Sequence, residues 1–314
     1  MAGAAEQLAG TPAAGGAVKR NTGPPRVVVL GGSRFIGRAI VEALLRRGFA
    51  VTTVNRGVLP VSYTGFVDRV RADRSDPERY REVLGAIRAS YLVDVTAYSA
   101  RDTAAVVAAF RGRLSGALHV STLSAYRAPY PCPITEQWPL ETNPAHDYGF
   151  RKAACERLLA AEPVDRFPWR ILRLPAVYGP GDPVGREEYF FRRIMEEMPV
   201  PLANGGSFLA QNIFVDDAAE ACCRLLESPQ AAGRAYNAGA FPFTLNTYLG
   251  LAGEVLDRPV RVVEGGDVRT AAPYVYNGHL ILDTSRIANE VGFMPAVTLR
   301  EGLGKTFASL RGAR

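Results

Sequence analysis

The chain has 314 residues, 47% hydrophobic and 22% charged, with a net charge of +6. That length can bury a full α/β core, and no apolar run reaches the roughly 18 to 20 residues needed to cross a bilayer, so a membrane-spanning protein is excluded and a soluble, cytoplasmic one expected. Four cysteines, Cys132, Cys155, Cys222 and Cys223, form neither a CxxC pair nor a regular framework, which excludes a disulfide scaffold and suits a reducing compartment.

Residues 1–25 are rich in Ala, Gly, Pro and Thr, with Lys19 and Arg20 after the weakly apolar stretch. That order argues against a secretory signal, and the segment reads as a flexible extension. Residues 26–30 then form an apolar run between Pro24-Pro25 and Gly31-Gly32, the pattern of a buried parallel strand. Ile36, Ile40, Val41, Leu44 and Leu45 recur at helical spacing over 36–47, with Gly48 as the stop. Strands follow at 50–54 and near 66–70, a helix from Pro77 to about Arg88, and a strand at 91–95. A helix at about 101–111, a strand at 116–120, a helix at about 148–161 and a strand at 169–174 continue the alternation.

Repeated strand-then-helix units imply an α/β protein with a Rossmann-type, doubly wound parallel sheet. After Pro175 the chain is punctuated by Pro and Gly, with shorter helices around 187–196, 216–227, 245–256 and 284–291. Residues 26–175 therefore read as a dinucleotide-binding domain, to which the chain returns at about 208–240. The rest of 176–314 reads as a small α/β substrate-binding lobe. The basic residues are scattered, densest at Arg46-Arg47 and Arg192-Arg193, so a solvated surface with phosphate-bearing small ligands accounts for the charge better than nucleic acid.

Gly31-Gly32-Ser33-Arg34-Phe35-Ile36-Gly37 joins the first strand to the first helix, where backbone N–H groups and a helix N-terminus can hold a pyrophosphate. The second strand ends at Asn55-Arg56. A carboxylate there would repel a 2′-phosphate, whereas Arg34 and Arg56 can clamp one. NADP(H) is favoured and NAD(H) remains open, the alternative being that both arginines are surface residues. Asp73, after the third strand, either meets the adenine amino group or caps the following helix.

Tyr148 and Lys152 stand four residues apart, on one face of a helix. A free tyrosine ionises near 10, so work as a general base near neutrality needs a downward shift of about three units, roughly 4 kcal/mol. Lys152 and an oxidised nicotinamide supply charge of the right sign. Thr122, at the carboxyl edge of the sheet, can hold the substrate oxygen. Ser121 and Ser124 compete for that role, with turn capping the plain alternative for all three. His119, His146 and His279 lack metal-ligand spacing, so no metal is expected.

These residues resemble the extended short-chain dehydrogenase/reductases, in the bacterial epimerase/dehydratase-like branch with a Gly-Gly-Ser/Thr-Arg-Phe-Ile-Gly turn. The likeness runs from about residue 26 to the C-terminus. Besides the turn it includes Ser121-Thr122 with Tyr126, Tyr148 and Lys152, the segments 173–182, 214–217 and 236–239, and Asp283-Thr-Ser-Arg286. The resemblance implies hydride transfer at a secondary alcohol of a sugar, nucleotide-sugar or nucleoside-like substrate. Thr122 would orient the hydroxyl, Tyr148 act as acid/base, and Lys152 lower its pKa and bind the nicotinamide ribose. Ala97 and Pro175 complete an expected cofactor set of Gly31, Ser33, Arg34, Phe35, Ile36, Gly37, Asn55, Arg56, Asp73, Tyr148 and Lys152.

Three departures narrow the activity. Leu123-Ser124 replaces the Asp-Glu pair of the sugar-nucleotide 4,6-dehydratases, which argues against dehydration by that route. Ala176 and Ala210 stand where diphosphate-sugar members carry Asn and Arg. A rebuilt substrate site would draw on Ser124, Arg186 and Arg269, with Arg192 as a further candidate. An epimerase that uses a second acid/base could take His146 or Asp147. The rival reading is a non-catalytic, dinucleotide-sensing or RNA-binding protein on the same fold. The expected partners are a small-molecule substrate and, as the family allows, a second copy in a homodimer.

Overall fold

A computed structural model describes residues 23–264 and 278–312. Its first half runs β1 (Arg26–Leu30), α1 (Phe35–Arg46), β2 (Ala50–Asn55), β3 (Val67–Arg71), α2 (Pro77–Ala86), β4 (Tyr91–Asp94), α3 (Ala100–Phe110), β5 (Gly116–Thr122), α4 (Asp147–Ala160) and β6 (Trp169–Leu174). The second half adds β7 (Ala176–Tyr178), α5 (Arg186–Met195), β8 (Val200–Leu202), β9 (Leu209–Ala210), β10 (Asn212–Phe214), α6 (Val215–Glu227), β11 (Arg234–Asn237), β12 (Phe243–Thr244), α7 (Leu245–Leu256) and β13 (Val262–Glu264). Helices Ser285–Val291 and Leu299–Gly312 end the described chain.

Seven strands form one parallel sheet in the order β11-β6-β5-β4-β1-β2-β3. β1 has no polar side chain after Arg26 because both of its faces are covered. Val27 and Val29 pack in the cluster that includes Ile40 and Leu44 of α1, and Val28 and Leu30 in the cluster that includes Val106 and Val107 of α3. Each such side chain contributes about 1.5–3 kcal/mol on burial. The strand order reverses between β1 and β4, the point where open α/β sheets leave a crevice at their carboxyl edge.

Beyond β6 the strands shrink to two to four residues. β7 pairs with β10, β8 with β13, and β9 antiparallel with β12. The periodicity of the sequence misses all of these, because two or three residues carry no measurable alternation. It also misses the helix Leu299–Gly312. That helix lies against Tyr178 through Gly302, whose place a β-carbon could take only 2.1 Å from the Tyr178 hydroxyl. Among the described residues no helix is long and apolar enough to cross a membrane.

Candidate active site

The crevice at the carboxyl edge is a cavity of about 1090 Å³, at or above the upper end for a single small-ligand pocket. Of the residues expected to bind cofactor, Gly31, Ser33, Arg34, Phe35, Ile36, Gly37, Asn55, Arg56, Asp73, Tyr148, Lys152 and Pro175 line it, and so do Thr122, Ser124 and Arg186. Arg269 lies outside the described residues. Ala97 is not among the lining residues. Its carbonyl instead accepts a hydrogen bond from Lys152 Nζ at 3.0 Å, a backbone role that no side-chain pattern announces.

The turn at 31–37 is built for close backbone approach. Gly31 has φ +94°, and a β-carbon on Gly37 would sit 1.9 Å from the Gly31 carbonyl oxygen. Phe35 takes φ +46°, a conformation bulky residues rarely adopt and one that concentrates at functional sites. The start of α2 is closed by Asp76, which accepts from the Arg79 N–H, and that of α3 by a Ser99–Asp102 capping box. The start of α1 has no side-chain cap and no acid in its first turn. Its backbone donors and positive dipole end face the cavity, and this donor set fits a pyrophosphate. The cap of α2 is therefore Asp76 and not Asp73. Asp73 accepts from the Ser75 N–H, and the Arg56 charge adds to the backbone hydrogen bond that holds its carboxyl below the usual range. Asn55 accepts from the Gly57 N–H at 3.0 Å, so its side chain shapes the turn after β2.

At the other end of the cleft, Gly149 sets the geometry. A β-carbon there would lie 2.1 Å from the Ser124 carbonyl oxygen, so only glycine lets α4 press onto the turn after β5 and bring Tyr148 to Thr122. Thr122 Oγ1 accepts from the Ser124 N–H at 3.2 Å, so it caps that turn, and its hydroxyl stands close enough to the Tyr148 phenol to favour its ionised form. Tyr148 is 46% exposed and Tyr98, which no motif marks, 48%. Their rings lie 6.4 Å apart on the cavity wall.

The electrostatics correct one expectation. Burial of the Tyr148 hydroxyl raises its pKa and Tyr98 adds to the rise, while Thr122 and the Arg186 charge oppose it. The protein's own groups thus leave the phenol above its ordinary value. The Lys152 ammonium points its donors inward, to the carbonyls of Val120 at 2.7 Å and Ala97 at 3.0 Å and to His119 Nε2 at 3.1 Å. The turn carrying Ala97 is held in turn by Asp94, which accepts from the Thr96 N–H at 3.1 Å and from Arg74 at 2.6 Å.

Several other candidates fall away from the chemistry. Ser121 lines the cavity as well, but its hydroxyl is turned to Glu156, to which it donates in a buried network below the cleft. There Arg173 grips Glu156 at 2.6 and 2.9 Å and donates to the Tyr126 hydroxyl at 2.8 Å, which donates to Asn237 at 2.7 Å. Burial alone would lower the Arg173 guanidinium, but Glu156 outweighs it and holds it above its usual value. His146 and Asp147 do not line the cavity. His146 is engaged by Glu141 at 2.6 Å and Asp147 by Arg151 at 2.6 Å. Arg192 is exposed on α5 and does not reach the cavity either. Arg186 does, in contact with Asp182 at 3.3 Å. Ala176 lines the cavity, whereas Ala210 is buried in β9.

A doubly wound parallel sheet whose glycine turn opens on an uncapped helix start, with a tyrosine and a lysine one helical turn apart beside it, defines a class of nucleotide-binding α/β proteins. The chain belongs to the NAD dependent epimerase/dehydratase family, whose model matches residues 27–239. It is 29% identical over 213 residues to 2'-dehydrokanamycin reductase of Streptomyces kanamyceticus, a match covering 66% of this chain and 60% of the reductase. It is 24% identical over 240 residues to chloroplast stem-loop binding protein of 41 kDa b of Arabidopsis thaliana, covering 72% of this chain and 61% of that protein. It is 28% identical over 312 residues to dTDP-glucose 4,6-dehydratase of Streptomyces griseus, covering 90% and 93%. Among solved structures, an epimerase of Methanothermobacter thermautotrophicus superposes with a TM-score of 0.77 at 19% identity, covering 92% of this chain and 93% of that one.

Proposed function

We propose that the chain is an NAD(P)-dependent oxidoreductase or epimerase that oxidises and reduces a secondary alcohol on a sugar-like ring, with Tyr148 as acid/base. The observation that carries this reading is the Tyr148 phenol beside Thr122 at the cavity wall, with Lys152 buried one turn along α4. When bound, the dinucleotide supplies the hydride acceptor or donor. The α1 start, Gly31 and Gly37 would hold its pyrophosphate, and Asp73 its adenine end. Thr122 holds the substrate oxygen, and Tyr148 Oη takes its proton on oxidation and returns it on reduction. Arg34 and Arg56, with no acid at the end of β2, favour a 2′-phosphate and hence NADP(H). Ala176 and Ala210 in place of a diphosphate clamp bring nucleosides and small cyclic alcohols into the substrate range beside activated sugars, and the match to a reductase named for a kanamycin derivative supports that breadth. Ser124 and Arg186 line the substrate end.

The test is mass spectrometry of the denatured, freshly purified protein for NAD(H) or NADP(H), then titration of the emptied protein with each. Near-stoichiometric retained dinucleotide favours epimerisation on a held pool. Reversible binding favours net oxidation or reduction, and binding of neither sinks the proposal. The match to a stem-loop binding protein keeps the second reading, RNA binding or dinucleotide sensing, in view. A Tyr148→Phe protein that loses turnover but keeps its biological effect would decide for it.

A further inference from the structure

We propose that His119 is a positioning residue for the reaction: its Nε2 is the third acceptor of a buried seat that holds the Lys152 ammonium one helical turn from Tyr148. This rests on the reading of Tyr148 as the acid/base. An ammonium has three N–H donors and nothing to accept with, and Lys152 meets three acceptors within 3.1 Å. The Val120 and Ala97 carbonyls persist under side-chain substitution, so His119 is the member of the seat that a mutation can remove. Lys152 is 2% exposed and His119 3%, so an N–H that lost its acceptor would find no water, and the charged form of the amine would suffer most.

His119 accepts from Lys152 without taking its proton. Burial, then the Lys152 and Arg74 charges, hold the imidazole well below its ordinary range, since a protonated ring would set two cations 3.1 Å apart. A seat for the ammonium thus requires a bare Nε2, with the proton of the neutral ring on Nδ1. Burial also lowers Lys152. Cys155 and Glu156 on α4 and Asp94 at the end of β4 oppose that fall, while Arg74 after β3 adds to it. The Tyr98 ring lies 5.9 Å from Nζ. Around the Tyr148 phenol stand Tyr98, Thr122 and Arg186. Removal of the His119 acceptor tips a balance already strained by burial toward the neutral amine, and so would withdraw a positive charge one helical turn from Tyr148, a charge whose sign favours the phenolate.

The experiment compares His119→Leu and His119→Gln with the unaltered chain, each saturated with NADP⁺ and separately with NAD⁺. Tyrosinate absorbance, taken as the difference from the same chain carrying Tyr148→Phe, reads Tyr148 ionisation without any substrate. The expected result is a move of about one pH unit upward in the Leu variant, a tenfold smaller phenolate fraction near neutrality, with most of it recovered in the Gln variant, whose amide oxygen accepts from Lys152. Equal ionisation in the Leu variant and the unaltered chain overturns the proposal. So does an equal shift in both variants, which would mark a packing role. If the Leu variant does not fold, ¹⁵N resonances of His119 in the unaltered chain decide: an unprotonated Nε2 from pH 5 to 8 supports the seat, and a protonated one overturns it. Failure of the acid/base reading has a separate signature, a bare Nε2 on His119 with no Tyr148-dependent ionisation in either dinucleotide complex.

Discussion

The two halves of the cleft are built from different materials. The half at the carboxyl ends of β1 to β5 is made largely of backbone: an uncapped helix start, a glycine turn at contact distance, and two carbonyls seating Lys152. The half closed by residues after Leu174 is made of side chains on short elements, such as Gln211, which donates to the Ala240 carbonyl at 2.8 Å and accepts from the Leu282 N–H at 2.9 Å, and the Asp182–Arg186 pair. Backbone geometry cannot be changed piecemeal, whereas side chains can be exchanged one at a time. The first half should therefore respond to substitution by failing outright, and the second by degrees.

The sharpest test of that contrast is Tyr148→Phe. It should lower turnover by about 10³ to 10⁴-fold, within the range for loss of a positioned acid/base, and leave dinucleotide affinity within a few fold. A variant that kept a tenth of its activity would break the comparison at its centre.

The buried network under both halves comes next. Arg173→Met leaves Glu156 buried without its partner and should cost about 3–5 kcal/mol in denaturant titrations, whereas the double change with Glu156→Met should recover much of that. If the double variant is no more stable than the single one, Glu156 is not the group left stranded.

Gly37→Ala drives a β-carbon into the Gly31 carbonyl and should cost about 1–3 kcal/mol, a melting temperature several degrees lower, with weakened dinucleotide binding. Gly85→Ala, with nothing within 4 Å, serves as the control and should be neutral or slightly stabilising. Joint replacement of Arg34 and Arg56 by Ser should weaken NADP⁺ relative to NAD⁺ by about 10 to 100-fold in calorimetric titration. An unchanged ratio removes the argument for NADP(H).

The smallest effect belongs to the side-chain half. The Arg186 charge opposes the upward shift of Tyr148, so Arg186→Ala should raise the Tyr148 ionisation midpoint by a few tenths of a pH unit, because a cation favours the phenolate and its loss favours the phenol. Dinucleotide affinity should not change. A shift as large as that expected from His119→Leu would mean that Arg186, and not the Lys152 seat, governs the phenol.

The elements of the first half are legible from residue types alone. β6 is found at 169–174 as expected, and α1, α3 and α4 begin within one residue of their expected starts, because a strand covered on both faces leaves a continuous apolar run and an amphipathic helix such as α1 a periodic one. The edge strand β3 is displaced by one residue, since Asp68 and Arg69 face solvent and blur its apolar run. β7 to β13 leave no trace, being stabilised by partners far along the chain. Asp73 and Asp76 compete for one cap three residues apart, and only the turn geometry separates them.

Within the site, the spacing of Tyr148 and Lys152 and the turn at 31–37 were written in the chain itself, because an i, i+4 pair and a strand-to-helix turn are local. What Lys152 bonds to was not. Its three acceptors come from residues 97, 119 and 120, two of them main-chain oxygens with no residue signature and the third a lone histidine between the apolar Leu118 and Val120 of β5. Local order along the chain determined which groups this protein possesses. The folding of β4, β5 and α4 against one another decided which of them meet, since burial and distance exist only once the sheet has closed.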